Sequence, residues 1–412
     1  METLRAKGPD TFQCATLKMP LDYSDPGGKT IGLAISRLTA GSTKERRGVL
    51  LLNPGGPGAP GLHLPADPLM KFPAEVKRRY DLVGFDLRGA GQSSPVSCGL
   101  TAEEQSDQPY KAGTFAKGAD RVRTVAGKCR AKAGDKLPQL TTRNSARDMD
   151  VIRAALGQKR ISYLGISYGT YLGAVYMQLF PQRADRIVLD SATDPTRIYR
   201  GMFQDMAKAA ERAFTRWTEW TARRHTTYGL GDTPAKVRQT FWNLIARADR
   251  EPLPFDGQTL AGEGIRADNR TWSHVPERYR RDTARHPLCG DFAATITPCA
   301  FWKQGNEPQT TIDNKVGALI TQNEWDSQTP LFAGQAMHRA LRGSRMLTVA
   351  DGRGTRRPLR ARRQSLRRQG RHGLPEHGQA PRQGPDLPGY DRAEVATPHA
   401  IPPGSPGTHD RL

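Results

Sequence analysis

Ile161-Ser162-Tyr163-Leu164-Gly165-Ile166-Ser167-Tyr168-Gly169-Thr170 decides the fold. Ile161 to Leu164 reads as a short buried strand, and Tyr168 to Phe180 as a helix closed by Pro181. The junction between them carries a GxSxG pattern centred on Ser167. A strand-to-helix turn this tight requires small flanking positions and holds the serine hydroxyl out at the carboxyl edge of a sheet. The amide of Tyr168 then faces the charge that develops on an attacked carbonyl, helped by the helix N-terminus. The bland alternative is a serine at an ordinary turn, and context outside the pattern has to decide.

Working outward, the same alternation recurs. Val49 to Leu52, Tyr80 to Phe85 and Ile187 to Leu189 read as strands, as do Gly317 to Thr321 and Arg345 to Val349. A helix is expected from a Ser145 cap, with Asp148 in its first turn, apolar Met149, Ile152 and Leu156, and a stop at Gly157. Another spans Leu331 to Leu341. Short apolar strands alternating with helices indicate an α/β fold with a mostly parallel central sheet covered on both faces. Between about Pro195 and Gln309 the pattern changes to Trp- and Arg-rich sequence with a long amphipathic candidate, Met202 to Arg223. It reads as a mainly helical cap insertion.

Two further motifs follow strands. Asn53-Pro54-Gly55-Gly56-Pro57-Gly58 lets the backbone approach a ligand closely. Pro54 and Pro57 lack an N–H, so Gly56 is the preferred second oxyanion donor beside Tyr168, with Gly55 and Gly58 behind it. Asp86-Leu87-Arg88-Gly89 reads as a buried Asp–Arg pair that fixes a loop.

A serine nucleophile needs a base, and the base an orienting carboxylate, in the chain order Ser, acid, His. Asp326, in the loop after the Gly317–Thr321 strand, suits the acid, with Glu324 in reserve. The histidine belongs after the Arg345–Val349 strand, near Thr355, but no histidine occurs between His338 and His372. His338 lies inside a helix, and His63 is out of chain order. His372, His377, His399 and His409 fall in a segment with no reason to fold.

The 412 residues carry 62 Lys plus Arg against 41 Asp plus Glu, a formal charge of +21. No apolar run reaches the ~18 residues of a membrane span, and the first residues lack the layout of a secretory signal. Neither CxxC nor a zinc-type Cys/His spacing appears, so no cofactor or metal is expected. From Arg353 to Leu412 the chain holds 12 Arg, no Lys and nine Pro, which reads as a disordered tail. Its arginines lack interleaved aromatics, so neither nucleic acid nor membrane is an expected partner.

Residues 12 to about 352 resemble the secreted tripeptidyl-aminopeptidase branch of the α/β-hydrolases, serine peptidases related to prolyl aminopeptidases. Cys14 to Tyr23, Asn53 to Gly58, Gly84 to Gly89, Ile161 to Thr170, and Asp326 with Thr329-Pro330 carry the resemblance. It implies the α/β-hydrolase fold and release of tripeptides from free protein N-termini. It implies Ser167 as nucleophile, Asp326 as acid, and export with disulfides pairing Cys98 with Cys129 and Cys289 with Cys299. The chain departs from that pattern in lacking a signal peptide and an Asp-Gly-x-Gly-His run, and in its tail. DNA able to encode Gly373 to Pro381 also permits, one base over, Ala-Tyr-Leu-Asn-Thr-Gly-Lys-Leu-Pro, an ordinary ending for this family. The tail therefore reads as a frameshift near codon 353. The expected layout is a core over 1–194 and 311–352, a cap over 195–310 and a tail over 353–412. The alternatives are a remnant lacking its triad histidine, or an esterase or lipase on the same fold.

Overall fold

The computed structural model describes residues 12–101, 104, 115–255, 258–260, 262, 265, 301 and 307–353. The strands begin with β1 (Phe12–Pro20), β2 (Thr30–Leu38), β3 (Gly48–Asn53) and β4 (Tyr80–Phe85). β5 (Ile161–Ile166), β6 (Ala184–Asp190), β9 (Ala318–Trp325) and β10 (Arg345–Arg353) complete one sheet. A separate hairpin pairs β7 (Leu253–Phe255) with β8 (Gln258–Leu260). The eight strands lie in the order β1-β2-β4-β3-β5-β6-β9-β10. β2 is antiparallel to both β1 and β4, and every other pairing is parallel.

The helices among the described residues are α1 (Ala74–Arg79), α2 (Phe115–Ala133), α3 (Thr142–Ala155) and α4 (Tyr168–Leu179). They continue with α5 (Arg200–Ala222), α6 (His225–Tyr228), α7 (Pro234–Arg250) and α8 (Leu331–Ala340). Alternation along the strands divides the core. Leu51, Val83, Tyr163, Leu189 and Ile320 pack with Met149 and Ile152 of α3, Leu172 and Val175 of α4, and Met337 of α8. Leu52, Leu82 and Leu164 turn the other way, onto Leu64 and Phe72. Almost all of α4 is buried, which is why its sequence is apolar all round rather than striped.

The α5–α7 segment enters between β6 and β9 and has a small core of its own, where Phe203, Ala207, Ala210 and Phe214 meet Phe241 and Trp242. A disulfide joins Cys98 to Cys129 of α2. The Cys289–Cys299 pair lies outside the described residues, as do the tail histidines and everything from 354 on. No helix among the described residues is long and apolar enough to cross a membrane.

Several expectations need correction. The β1–β2 hairpin is absent from the strands read by periodicity: β1 is an edge strand with polar Gln13, Thr16 and Lys18 along it, whereas β2 is an interior, largely buried strand that the reading missed. Ser145 does not cap α3: Thr141 does, its side chain accepting from the Asn144 amide, and Ser145 is buried inside the helix. Gly157 does take the left-handed conformation, φ 65°, just past the end of that helix. Asn323 and Glu324 prolong β9 rather than opening a loop, and β10 runs to Arg353, one residue into the expected tail.

Candidate active site

Ser167 sits between the last residue of β5 and the first of α4, with φ 55° and ψ −122°. A non-glycine residue in that region is strained by about 1–3 kcal/mol and persists only where its surroundings over-determine it. Here they do. The Ser167 amide donates to the Asp190 carbonyl at 3.0 Å, and the Ser167 carbonyl accepts from the Thr170 amide at 2.8 Å and the Thr170 hydroxyl at 2.6 Å. The flanking glycine is obligatory: a Cβ on Gly165 would lie 2.3 Å from the Gly169 carbonyl oxygen.

The glycine turn after β3 packs directly on this elbow. A Cβ on Gly55 would stand 3.1 Å from the Tyr168 amide nitrogen. Asn53, buried at the end of β3, accepts the Gly55 amide on Oδ1 at 3.0 Å. That bond takes Gly55 out of contention as an oxyanion donor. The amides of Gly56 and Tyr168 have no acceptor among the described residues, and Tyr168 heads a helix without a side-chain cap. Tyr168 thus offers an open N–H next to the serine at a helix N-terminus, and the glycine turn packed on that elbow carries a second at Gly56; open amides of this kind are what an oxyanion needs. The Tyr168 phenol is removed from this chemistry: it hydrogen-bonds the Thr142 hydroxyl at 2.7 Å, and burial pushes its ionisation well above the ordinary tyrosine value.

Three adjacent strands bring the candidate acid to the same edge, because Ile166, Asp190 and Thr321 stand in register across β5, β6 and β9. Asp326 follows the end of β9 and is 3% exposed. Its Oδ1 accepts the amides of Gln328 and Thr329 at 2.8 and 2.9 Å, and Oδ2 accepts the Thr329 hydroxyl at 2.9 Å. Burial nevertheless holds its carboxyl above the ordinary value, and the negative charge of Asp190 adds to the rise. Asp190 is a carboxylate that the motif reading missed. It accepts the Thr321 hydroxyl at 3.0 Å, and the signal was its place at the end of a strand beside the serine's own. The reserve acid, Glu324, stays within β9.

No histidine among the described residues completes the set. His338 Nδ1 is 2.7 Å from the Ser344 hydroxyl. His63 is largely exposed, its Nε2 3.7 Å from Asp67. The position near Thr355 lies outside the described residues. The Asp86–Arg88 pair is not formed either. Arg88 makes a two-point ion pair with Asp148 of α3 at 2.6 and 2.8 Å, while Asp86 accepts the amides of Gly61 and Gln92. Both still pin loops, but to different partners. Among the described residues no three His, Cys, Asp or Glu side chains converge on a metal position.

Sequence comparison now adds to this geometry. A profile described as the alpha/beta hydrolase fold matches residues 48–285, and one described as TAP-like protein matches residues 286–367. The tripeptidyl aminopeptidase of Streptomyces coelicolor is 35% identical, over 83% of this chain and 77% of that protein. The serine protease Hip1 of Mycobacterium tuberculosis is 36% identical, over 58% of this chain and 47% of that protein. Carboxylesterase B of Mycobacterium tuberculosis is 40% identical, but over 45% of this chain and 37% of that protein. A strained serine elbow, a glycine turn packed on it and this extent of identity agree: the chain belongs to the α/β-hydrolase family, in the branch that includes the Streptomyces tripeptidyl aminopeptidases.

Proposed function

We propose that this protein is a serine aminopeptidase that releases tripeptides from free N-termini of peptides and proteins. Ser167 is its nucleophile, Asp326 the acid that orients a histidine base, and the amides of Gly56 and Tyr168 the oxyanion hole. One observation carries the reading: Ser167 is held at a strained φ next to the open Tyr168 amide and under the glycine turn that carries Gly56, an arrangement that has a cost in stability and serves acyl transfer. In the first half-reaction the Ser167 hydroxyl attacks the third carbonyl, its proton passes to the base, and the amine leaves with that proton. Water then cleaves the acyl-enzyme. The α5–α7 insertion acts as the cap that reads the free terminus. Export is the matching location, supported by the Cys98–Cys129 bridge, which an oxidising compartment favours.

A second reading has its own observation. With His338 engaged by Ser344 and no further histidine between it and His372, the chain in this reading frame is a remnant without its base. Loss of that base costs on the order of a million-fold in turnover.

The test is hydrolysis of a free tripeptidyl amide, its N-acetylated form and a simple ester, by this chain and by one whose frame is shifted at codon 353. The aminopeptidase reading expects the shifted-frame chain to cleave only the free amide and to lose that with Ser167→Ala. Preference for the ester would replace it with the esterase alternative. Equal inactivity of both chains would remove the frameshift account.

A further inference from the structure

Two cations of α5 lie on the two aromatic rings that bracket Asp326. Arg216 places its guanidinium carbon 3.6 Å from the centre of the Trp325 ring, and Lys208 its ammonium 5.4 Å from the centre of the Phe332 ring. Trp325 ends β9 immediately before Asp326, and Phe332 stands in the first turn of α8. Between β9 and α8 runs the five-residue loop 326–330, whose Gln328 and Thr329 amides both point at the Asp326 carboxylate. Lys208 and Arg216 are eight residues apart, about 12 Å along the helix axis, so one rigid element reaches both ends of that stretch.

The chemistry suits a clasp that can open. Trp325 is 40% exposed, and a flat guanidinium stacks well on an indole face. The contact is worth too little to hold the fold together and enough to bias a loop. A loop fixed by three hydrogen bonds to one carboxylate is ordered only while its ends are held, because hinge motion at either end spreads the amides away from Oδ1.

We propose that Arg216 and Lys208 are positioning residues: α5 clasps the Asp326 loop through Trp325 and Phe332 and keeps that carboxylate in its working orientation. α5 is the long helix of the insertion, so any movement that lifts it from the sheet edge also releases the acid loop. Entry of a peptide and order at Asp326 are thereby linked. The catalytic meaning of this clasp rests on the reading of Asp326 as the triad acid, but the clasp itself does not.

Amide hydrogen exchange on the full chain tests it without requiring turnover. Arg216→Ala should speed exchange at Gln328 and Thr329 about fivefold, the size expected for one cation–π contact. Arg216→Lys should restore most of the protection. Arg212→Ala, the same loss of charge on an exposed position of the same helix, should leave those amides unchanged. Combining Arg216→Ala with Trp325→Leu should add nothing to either alone. Unchanged exchange in Arg216→Ala, or an equal effect from Arg212→Ala, overturns the proposal. A positive result with a shifted-frame chain that prefers the ester would retain the clasp and discard the peptidase reading.

Discussion

A methyl group added to Gly55 would stand 3.1 Å from the Ser167 Cβ and 2.4 Å from the Ile166 carbonyl oxygen. The glycine turn after β3 and the serine elbow after β5 are therefore one packed unit, and the glycine is the contact surface. Gly55 also has φ +92°, a conformation that L side chains resist. Gly55→Ala should lower stability by about 2–4 kcal/mol, the combined effect of backbone strain and an overpacked contact. Gly27 is the control, with open space around it and no positive φ. Gly27→Ala should range from neutral to about 1 kcal/mol stabilising. Urea unfolding of the two variants checks both values.

This unit was legible in the sequence because the chemistry demands unusual residues: Gly165, Ser167 and Gly169 at the elbow, and consecutive glycines after Asn53. The parallel strands were legible for a related reason, since burial on both faces leaves continuous apolar runs such as Val49 to Leu52. β1 gave no such signal, because an edge strand with one wet face has the composition of a loop; β2 did carry one in its buried Ile31, Leu33, Ala34 and Ile35, and it was overlooked. The partner of Arg88 was unreadable, because Asp86 is two residues away and Asp148 is 60. Only the fold decides between them. Asp190 was overlooked for lack of a motif, although its position at a strand end matched that of Ser167.

Arg88 and Asp148 are each about 1% exposed as side chains. Arg88 also donates to the carbonyls of Pro20, Leu21 and Gln139, and Tyr23 donates to Asp148 at 2.7 Å. The pair thus ties the β1–β2 connection and the turn before α3 to the loop after β4. Arg88→Met should cost about 3–5 kcal/mol, since it strands a buried carboxylate. The double variant Arg88→Met/Asp148→Leu should cost less than the single one, because no uncompensated charge remains. Denaturant midpoints of the three variants give the coupling. A double variant less stable than Arg88→Met would show the charges to be net stabilising.

The Cys98–Cys129 bridge closes a separation of 31 residues. Chain entropy alone then predicts about 3–4 kcal/mol of stabilisation. Cys98→Ser/Cys129→Ser should unfold at a correspondingly lower urea concentration, and reductant should lower the midpoint of the parent chain by at least as much. Cys14 is exposed and unbridged, so Cys14→Ser should leave both curves where they are. A midpoint insensitive to reductant would mean that the bridge does not form in solution.

Asp326 allows a partner base to be sought from stability alone. Its carboxyl is held above the ordinary value of 3.8, chiefly by burial. A group whose folded value is raised contributes stability that is complete below its unfolded value and is lost as pH rises through the folded one. Asp326→Asn removes this titration with little change in shape: its Oδ1 still accepts the Gln328 and Thr329 amides, and its Nδ2 can donate to the Thr329 hydroxyl. The stability of Asp326→Asn relative to the parent should therefore rise between pH 3.5 and 7, measured by urea unfolding at each pH. A histidinium seated on Asp326 would reverse the sign, because a paired cation lowers the carboxylate's value and makes its contribution grow with pH. A rising difference in the present chain and a falling one in the shifted-frame chain would locate the base in the segment that the frame change restores. A falling difference in the present chain would mean that a cation already sits on this carboxylate, and the remnant reading would lose its support.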